Sequence, residues 1–270
     1  MPEGHTVHRT ANDFNEHFGG QRLRVDSPQG RFSEGASLVN GQVLLEAKAI
    51  GKQLFLSFES GLTVRIHLGI YGKWKWFHSG NAVDAALALP AIGQVRARFY
   101  TPTSMAELRG PTVCEVQTAD EVLAVAKRLG PDPLNPDPKG QEAKRFLARV
   151  QKSATPIGLL LMNQEVISGI GNVYRAELLF RAKINPYLPG NSLSEEQIQA
   201  LWDDSVALLK IGEKTGVMIT IDGLAKKRPT KAERNFVYKR EGQPCRICGT
   251  KLSLAMAAGR KLYFCASCQK

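Results

Sequence analysis

The 270-residue chain has little that would place it in a membrane. Its apolar run at residues 157–162, interrupted by one glycine, is far short of the roughly 20 residues a spanning helix needs. The start, Met1-Pro2-Glu3-Gly4-His5, lacks a basic stretch followed by an apolar one, so no secretory leader is expected and the chain is expected to stay in the cytoplasm. Histidine is scarce, with five in all, and no His-Glu-x-x-His pattern occurs, which removes the helical zinc-hydrolase signature. His5 and His8 share a helix face but have no carboxylate partner at that spacing, and they read as helix-surface positions. There is no internal repeat and no low-complexity tract. With 43% hydrophobic and 23% charged residues the chain is globular and long enough to bury two cores.

Acidic residues are also in short supply. Against 36 Lys and Arg stand 25 Asp and Glu, a formal net charge of +11. Such an excess points to a polyanionic partner, nucleic acid first and an anionic membrane surface second. Residues 1–150 hold 18 basic and 15 acidic residues, whereas residues 151–270 hold 18 and 10. The last 49 alone carry 12 basic and 3 acidic residues. A run of this kind is often a solvated tail. Here Phe236, Tyr238, Tyr263 and Phe264 are interleaved with it, which favours a folded module facing the polyanion.

Of five cysteines, four form Cys245-x2-Cys248 and Cys265-x2-Cys268 with sixteen residues between the pairs. That spacing fits a four-thiolate zinc site in a ribbon of two hairpins, each pair on a turn. Two disulfides would suit an intracellular chain poorly. Four protein ligands leave no open position, so the expected zinc is single and structural. Cys114, in a strand-like stretch, reads as a buried free thiol.

Val7, Ala11, Phe14 and Phe18 recur at helical spacing, and Gly19-Gly20 ends that helix. Leu54, Leu56 and Phe58, then Leu62, Val64, Ile66 and Leu68 after Ser60-Gly61, alternate as strands do. Residues 94–100 and 112–116 are further strand candidates. Past the proline-rich segment 131–140 the periodicity is helical: Phe146, Leu147 and Val150, then Ile198, Leu201, Trp202, Ser205, Leu208 and Leu209, the latter set behind a capping box of Ser194 and Gln197. The expected architecture is α+β and multidomain. It comprises an N-terminal helix plus β-sandwich or barrel at 1–130, a linker at 131–140, a helical domain at 141–235 and a zinc ribbon at 236–270.

Between two helical stretches lies Gly169-Ile170-Gly171-Asn172. Two glycines permit a tight turn, and Asn172 could cap the helix that follows. Such a turn aims free backbone N–H groups outward and makes an anion site; it is also what an ordinary turn between packed helices looks like.

Taken in order, Met1-Pro2-Glu3-Gly4, His67-Leu68-Gly69, Leu129-Gly130-Pro131-Asp132-Pro133-Leu134, the Gly169–Asn172 turn and the four cysteines resemble the formamidopyrimidine-DNA glycosylase/endonuclease VIII family along essentially the whole chain. The resemblance implies a helix–two-turn–helix motif in the helical domain and a bifunctional DNA glycosylase/abasic-site lyase of base-excision repair. The expected partner is damaged DNA, as a duplex, met by a monomer at the nucleoid. It also implies that Pro2, freed by removal of Met1, is the nucleophile. An α-amine with a pKa of about 7.7–8.0 is partly neutral at pH 7, which lysine is not. Glu3 takes the neighbouring proton-transfer role, although a carboxylate at a helix N-terminus is favourable without any catalysis. Lys52 matches a lysine that contacts phosphate and assists proton transfer, and by itself reads as an exposed turn lysine. Arg260 matches an arginine implicated in δ-elimination and phosphate binding, for which a guanidinium fork is suited. Arg128, Gly171 and Asn172 fall at phosphate-contacting positions, Arg128 being equally readable as surface charge.

Enzymes of this kind extrude the target base and fill the gap. The candidates are Ile70 and Tyr71, an apolar wedge and a stacking ring, which could instead pack at a strand end. Some endonuclease VIII-type relatives have glutamine where Gly69 stands, and an aspartate is common where Asn163 stands. Pro-Glu-Gly-His and Ile70-Tyr71 look more like the endonuclease VIII branch, which implies oxidised pyrimidines. Purine-specific members carry a base-capping loop around residues 221–235, and none is recognisable through Lys226-Lys227-Arg228-Pro229. An 8-oxoguanine-type glycosylase of the same family, a non-catalytic zinc-ribbon DNA binder and an RNA-associated ribbon protein are the alternatives.

Overall fold

A computed structural model describes residues 2–227 and 229–270; Met1 and Arg228 lie outside them. The chain forms two compact units, one of Pro2 with Val7–Lys127 and one of Glu3–Thr6 with Arg128 onward.

The first unit is a β-sandwich. Helix α1 (Gly4–Phe18) contributes the apolar face its periodicity predicts: Val7, Ala11, Phe14 and Phe18 are all buried. The chain leaves the helix through Gly20 at φ +72°, a conformation open to glycine. Ten short elements follow: β1 (Arg24–Asp26), α2 (Ser33–Val39), β2 (Leu44–Ile50), β3 (Gln53–Phe58), β4 (Thr63–His67), β5 (Lys73–Phe77), α3 (Gly80–Ala88), β6 (Val95–Tyr100), β7 (Met105–Arg109) and β8 (Val113–Gln117). The strands form two antiparallel sheets ordered β1-β6-β7-β5 and β2-β3-β4-β8. One continuous core joins Leu54, Leu56, Val64 and Ile66 of one sheet to Ala97, Phe99, Ala106 and Leu108 of the other.

Three helices here go beyond the single one expected: α2, α3 and α4 (Ala119–Arg128). Their start signals were present in the sequence. Ser79 caps α3 by accepting from the Ala82 N–H at 3.3 Å, and the Thr118 N–H donates to the Glu121 carboxylate at 2.8 Å ahead of α4. Cys114 is a free, half-buried thiol, and burial pushes its pKa up to about 12.

The second unit is helical, with a small ribbon. It contains α5 (Gln141–Gln151), α6 (Ile157–Leu160), α7 (Asn172–Arg181), α8 (Glu195–Thr215), and the antiparallel hairpin of β9 (Ser253–Ala257) and β10 (Arg260–Phe264). Both halves of the Ser194/Gln197 capping box are made. Phe146, Leu178, Leu201, Trp202 and Leu209 share its core. Segment 131–140 has no helix or strand, as a connector would not, but its first residues are not a free tether. Pro131, Asp132 and Pro133 are buried, and the Pro131 carbonyl accepts from the Ser168 N–H at 2.8 Å. Among the described residues no helix is long and apolar enough to cross a membrane.

The sandwich core makes Phe14 a test of the first unit. Its ring is wholly buried, 5.0 Å from Trp74 and 5.2 Å from Trp76 between centroids, both edge-on. Phe14→Ala should lower stability by ~3–5 kcal/mol in denaturant titrations. A loss below 1 kcal/mol would mean that the core closes over the gap.

Candidate active site

The site in the second unit is built around the N-terminus of α7. That end projects unpaired N–H groups, as any helix start does. The expectation that Asn172 caps it is corrected: Gly171 is the N-cap and makes no side-chain cap bond, while Asn172 is the first helical residue. The cap comes from far away in sequence. The wholly buried Glu3 carboxylate accepts from the N–H groups of Gly171 at 2.8 Å, Val173 at 2.9 Å and Tyr174 at 3.4 Å. The anion site read from the glycine turn therefore exists, and Glu3 fills it. Here glycine is needed for close approach, since a Cβ on Gly171 would lie 2.5 Å from Glu3 Cδ. The Gly4 N–H also donates to the Gly169 carbonyl at 2.8 Å, which fixes the residues following Pro2 on two sides. Pro2 itself is half-buried.

One turn along α7, Arg175 is fully buried. Its guanidinium donates to the carbonyls of Lys261 at 3.0 Å and Gly158 at 3.3 Å, and to Asn172 Oδ1. Burial, then the nearby Arg260 charge, brings its pKa down to about 10. The Asn172 amide donates to the same Lys261 carbonyl at 2.9 Å. Two side chains of α7 thus hold β10 next to Arg260. Arg260 is exposed at the end of a two-residue hairpin turn, Ala258 and Gly259, both at positive φ as such tight turns require.

Further on, the buried Glu177 carboxylate accepts from the N–H groups of Phe236 at 2.7 Å, Val237 at 2.9 Å and Tyr238 at 2.8 Å, and from the Thr220 hydroxyl. It fastens the strand of chain that enters the ribbon. Sequence reasoning passed over Arg175 and Glu177. The usable signal was that the polar residues of α7 fall on two opposite sides, Asn172 with Arg175 and Glu177 with Arg181. The helix thus has no single face to turn to solvent, and a polar residue turned inward needs partners.

In the ribbon, the Sγ atoms of Cys245, Cys248, Cys265 and Cys268 lie within 4.8 Å of one another. The Cys245–Cys268 and Cys248–Cys265 separations are 3.9 and 3.6 Å. A tetrahedron with Zn–S bonds of ~2.3 Å has edges of about 3.8 Å, so the four thiols fit one structural zinc. The first pair sits on a hairpin in which the Cys245 N–H donates to the Thr250 carbonyl at 2.8 Å.

The remaining expected site residues belong to the first unit, apart from Arg128. Lys52 occupies the turn between β2 and β3, and its charge, after burial, helps lower the pKa of His67. Ile70 and Tyr71 do not pack at the strand end: they are 56% and 86% exposed on the turn after β4. Beside them Gly69 is at φ +66°, and a Cβ there would lie 1.9 Å from Thr112 Oγ1. Any side chain at 69, glutamine included, would be strained at this φ and would have to displace the Thr112 hydroxyl. Arg128 is exposed at the end of α4.

The surface reading of His5 and His8 is corrected, since both are buried. His5 stands edge-on to Tyr174 at 5.4 Å, in space that Gly212 of α8 leaves open: a Cβ there would meet Tyr174 Oη at 2.3 Å and His5 Cγ at 2.8 Å.

These parts compose a zinc-ribbon glycosylase scaffold, and comparison with known proteins agrees. Residues 1–122 match the family model for the formamidopyrimidine-DNA glycosylase N-terminal domain, residues 129–222 its H2TH domain, and residues 242–270 a zinc finger found in FPG and IleRS. Endonuclease 8 1 of Mycobacterium tuberculosis is 45% identical over 275 residues, covering all of both chains. The formamidopyrimidine-DNA glycosylase of Thermus thermophilus is 31% identical over 277 residues, covering all of this chain and 98% of its own. A solved structure of the Lactococcus lactis formamidopyrimidine-DNA glycosylase, bound to DNA with an abasic site, superposes with a TM-score of 0.81 over 99% of each chain at 23% identity, a likeness of fold. The chain belongs to the formamidopyrimidine-DNA glycosylase/endonuclease VIII family, enzymes of base-excision repair.

Burial pushes the His5 imidazole from its ordinary value near 6.5 down to about 4. Native His5 therefore stays neutral while the unfolded chain takes up a proton as pH falls below 6.5. Its contribution to stability is complete above pH 6.5, declines by roughly 1.4 kcal/mol per pH unit between 6.5 and 4, and levels off below. The stability difference between the wild type and His5→Leu should shrink over that window in urea titrations at stepped pH. A difference that stays constant would mean that native His5 protonates freely.

Proposed function

We propose that the protein is a bifunctional glycosylase and abasic-site lyase that removes oxidised pyrimidines from duplex DNA and works as a monomer. The observation that carries this reading is the Glu3 carboxylate seated on the α7 N-terminus, which fixes the dipeptide Pro2-Glu3 at one place. Once Met1 is removed, Pro2 presents a secondary amine. In its neutral form the amine attacks C1′ of the damaged nucleotide; the C1′–N bond to the base breaks, and the base leaves with a proton. Opening of the sugar ring gives an iminium ion between the proline nitrogen and C1′. The cation acidifies the C2′ proton, whose removal expels the 3′ phosphate (β-elimination), and a second elimination expels the 5′ phosphate. Glu3, an anion beside the amine, stabilises the cationic steps and exchanges protons with the sugar.

Arg260 supplies an exposed guanidinium fork for a phosphate, held by the ribbon and by the Asn172 and Arg175 bonds to the adjacent Lys261 carbonyl. Lys52 and Arg128 are the other phosphate contacts in this reading. The Gly171 N–H is already engaged by Glu3, and the Asn172 amide by Lys261, so Asn172 would exchange that bond for a phosphate when DNA binds. Exposed Ile70 and Tyr71 fill the space the flipped nucleotide leaves. The zinc stiffens the hairpin that carries Arg260 and takes no part in the chemistry. Choice of the pyrimidine branch rests on Ile70-Tyr71 and on the 45% identity to an endonuclease 8.

Borohydride reduction during turnover should trap the protein covalently on duplex DNA containing thymine glycol or an abasic site, and an extra residue kept ahead of Pro2, which locks its nitrogen in a peptide bond, should abolish the adduct. An adduct that survives this block of the Pro2 nitrogen would remove the proline mechanism, and stronger trapping on 8-oxoguanine than on thymine glycol would move the enzyme to the purine branch. Separately, Arg260→Ala should reduce the slope of log K against log salt by about one unit for the lost phosphate contact and let the β-elimination product accumulate. An unchanged slope would take Arg260 out of the DNA footprint.

A further inference from the structure

The first unit carries a second concavity that the glycosylase reading does not use. In the sheet β1-β6-β7-β5, Ala97, Phe99, Ala106 and Leu108 point into the sandwich core. The alternate residues line the other face, where Arg98 and Glu107 stand directly opposite in register. Glu107 is 2% exposed and lies between two guanidiniums, accepting from Arg98 Nε at 3.0 Å and Arg109 Nε at 2.7 Å. Helix α3 and the residues after it rise over this face and leave a groove of about 380 Å³. Its floor is the Arg98–Glu107–Arg109 network and its walls are alanines of α3 with Phe77, Leu89, Pro90 and Ile92.

Two properties of the groove are unbalanced. Leu89 and Ile92 are 65% and 77% exposed on adjoining lips, an apolar surface that water covers at a cost. Lys75, whose ammonium sits 4.6 Å over the Phe77 ring, joins the two arginines, so three cations stand against two carboxylates, Glu107 and, opposite Arg98 across the sheet, Asp26. Arg109 is also fixed by donating to the Ile92 carbonyl at 2.9 Å, which places positive charge at the foot of the apolar lip. A ligand that completes this surface brings bulky apolar groups and negative charge together. The volume accommodates one or two large side chains and is near the lower limit for small-molecule sites. Apolar walls suit side chains, whereas a nucleic-acid backbone would leave them uncovered.

We propose that this groove is a docking site for a short acidic peptide segment of a partner protein, with one or two large apolar side chains seated between Leu89 and Ile92 and carboxylates paired to Lys75 and Arg109. It recruits or positions the enzyme and is independent of the chemistry at Pro2.

The test uses the full-length zinc-loaded protein and a fluorescein-labelled hexapeptide of three aspartates followed by leucine, glycine and phenylalanine, titrated by anisotropy. Saturable binding is expected, weakened at least about tenfold by Lys75→Glu, by Leu89→Ser with Ile92→Ser, and by serine in place of the peptide's leucine and phenylalanine. These variants should keep the wild-type melting profile and borohydride trapping, because none touches the proposed active site. Absence of saturation up to ~1 mM peptide would overturn the proposal, as would binding indifferent to these substitutions. Displacement of the peptide by undamaged duplex DNA, with Lys75→Glu weakening DNA binding to the same degree, would also overturn it and assign the groove to nucleic acid.

Discussion

The helical unit depends on one long-range contact: the third residue of the chain closes the N-terminus of a helix that begins at residue 172. A helix start left bare in a protein interior would strand several N–H donors, and a carboxylate buried alone would be costlier still. Put together, each satisfies the other, and the helix dipole adds to the attraction. The glycines at 4 and 171 follow from this contact, because a Cβ on Gly4 would lie 2.9 Å from Gly169 Cα and one on Gly171 2.5 Å from Glu3 Cδ. A larger residue at either glycine would force the two segments apart and take Pro2 with them.

From this anchor the buried polar residues of α7 organise the rest of the unit. Asn172 and Arg175 both spend donors on the Lys261 carbonyl, while Glu177 collects the N–H groups of residues 236–238 where the chain enters the ribbon. Zinc ties the cysteine turns to one another, but it does not tie them to the helix. The α7 side chains do so, and the hairpin bearing Arg260 is thereby referred to the same helix that fixes Glu3. A charge inside this unit is accordingly a structural fastener first: Arg175 meets carbonyls, and Glu177 meets amides.

Much of this was legible in the residues. The four-cysteine spacing specified the ribbon and its metal, the spacing of Val7 to Phe18 specified the buried face of α1, and Ser194 with Gln197 marked the start of α8. Those signals are local, so a single sequence displays them. The Glu3 cap was not legible in this way, since it joins residues about 170 positions apart and nothing in either segment names the other. The same limit explains why Asn172 was read as the cap, being the nearest residue of the right type. His5 was misread for a related reason: periodicity places it on a helix end, but only α8, through the space above Gly212, decides that this end is buried. Helices α3 and α4 are a different case, because their capping residues were in plain view and were outweighed by the β-rich surroundings.

The turn after β4 shows how backbone geometry narrows chemistry. Gly69 takes φ +66° and its missing Cβ is replaced by the Thr112 hydroxyl, so the turn can offer no side chain of its own at that position. The next two residues compensate by standing out in solvent, Tyr71 almost completely. An exposed isoleucine and tyrosine in sequence are costly in water and offer shape and a stacking face in place of a hydrogen-bonding pattern. On the proposed reading, such a wedge fills a gap in a base stack whatever base stands opposite, because apolar contact and stacking do not distinguish donor from acceptor edges. Discrimination of the opposite base would then have to come from groups other than residue 69, and the hydroxyl of Thr112, which crowds that position, lies against the same turn.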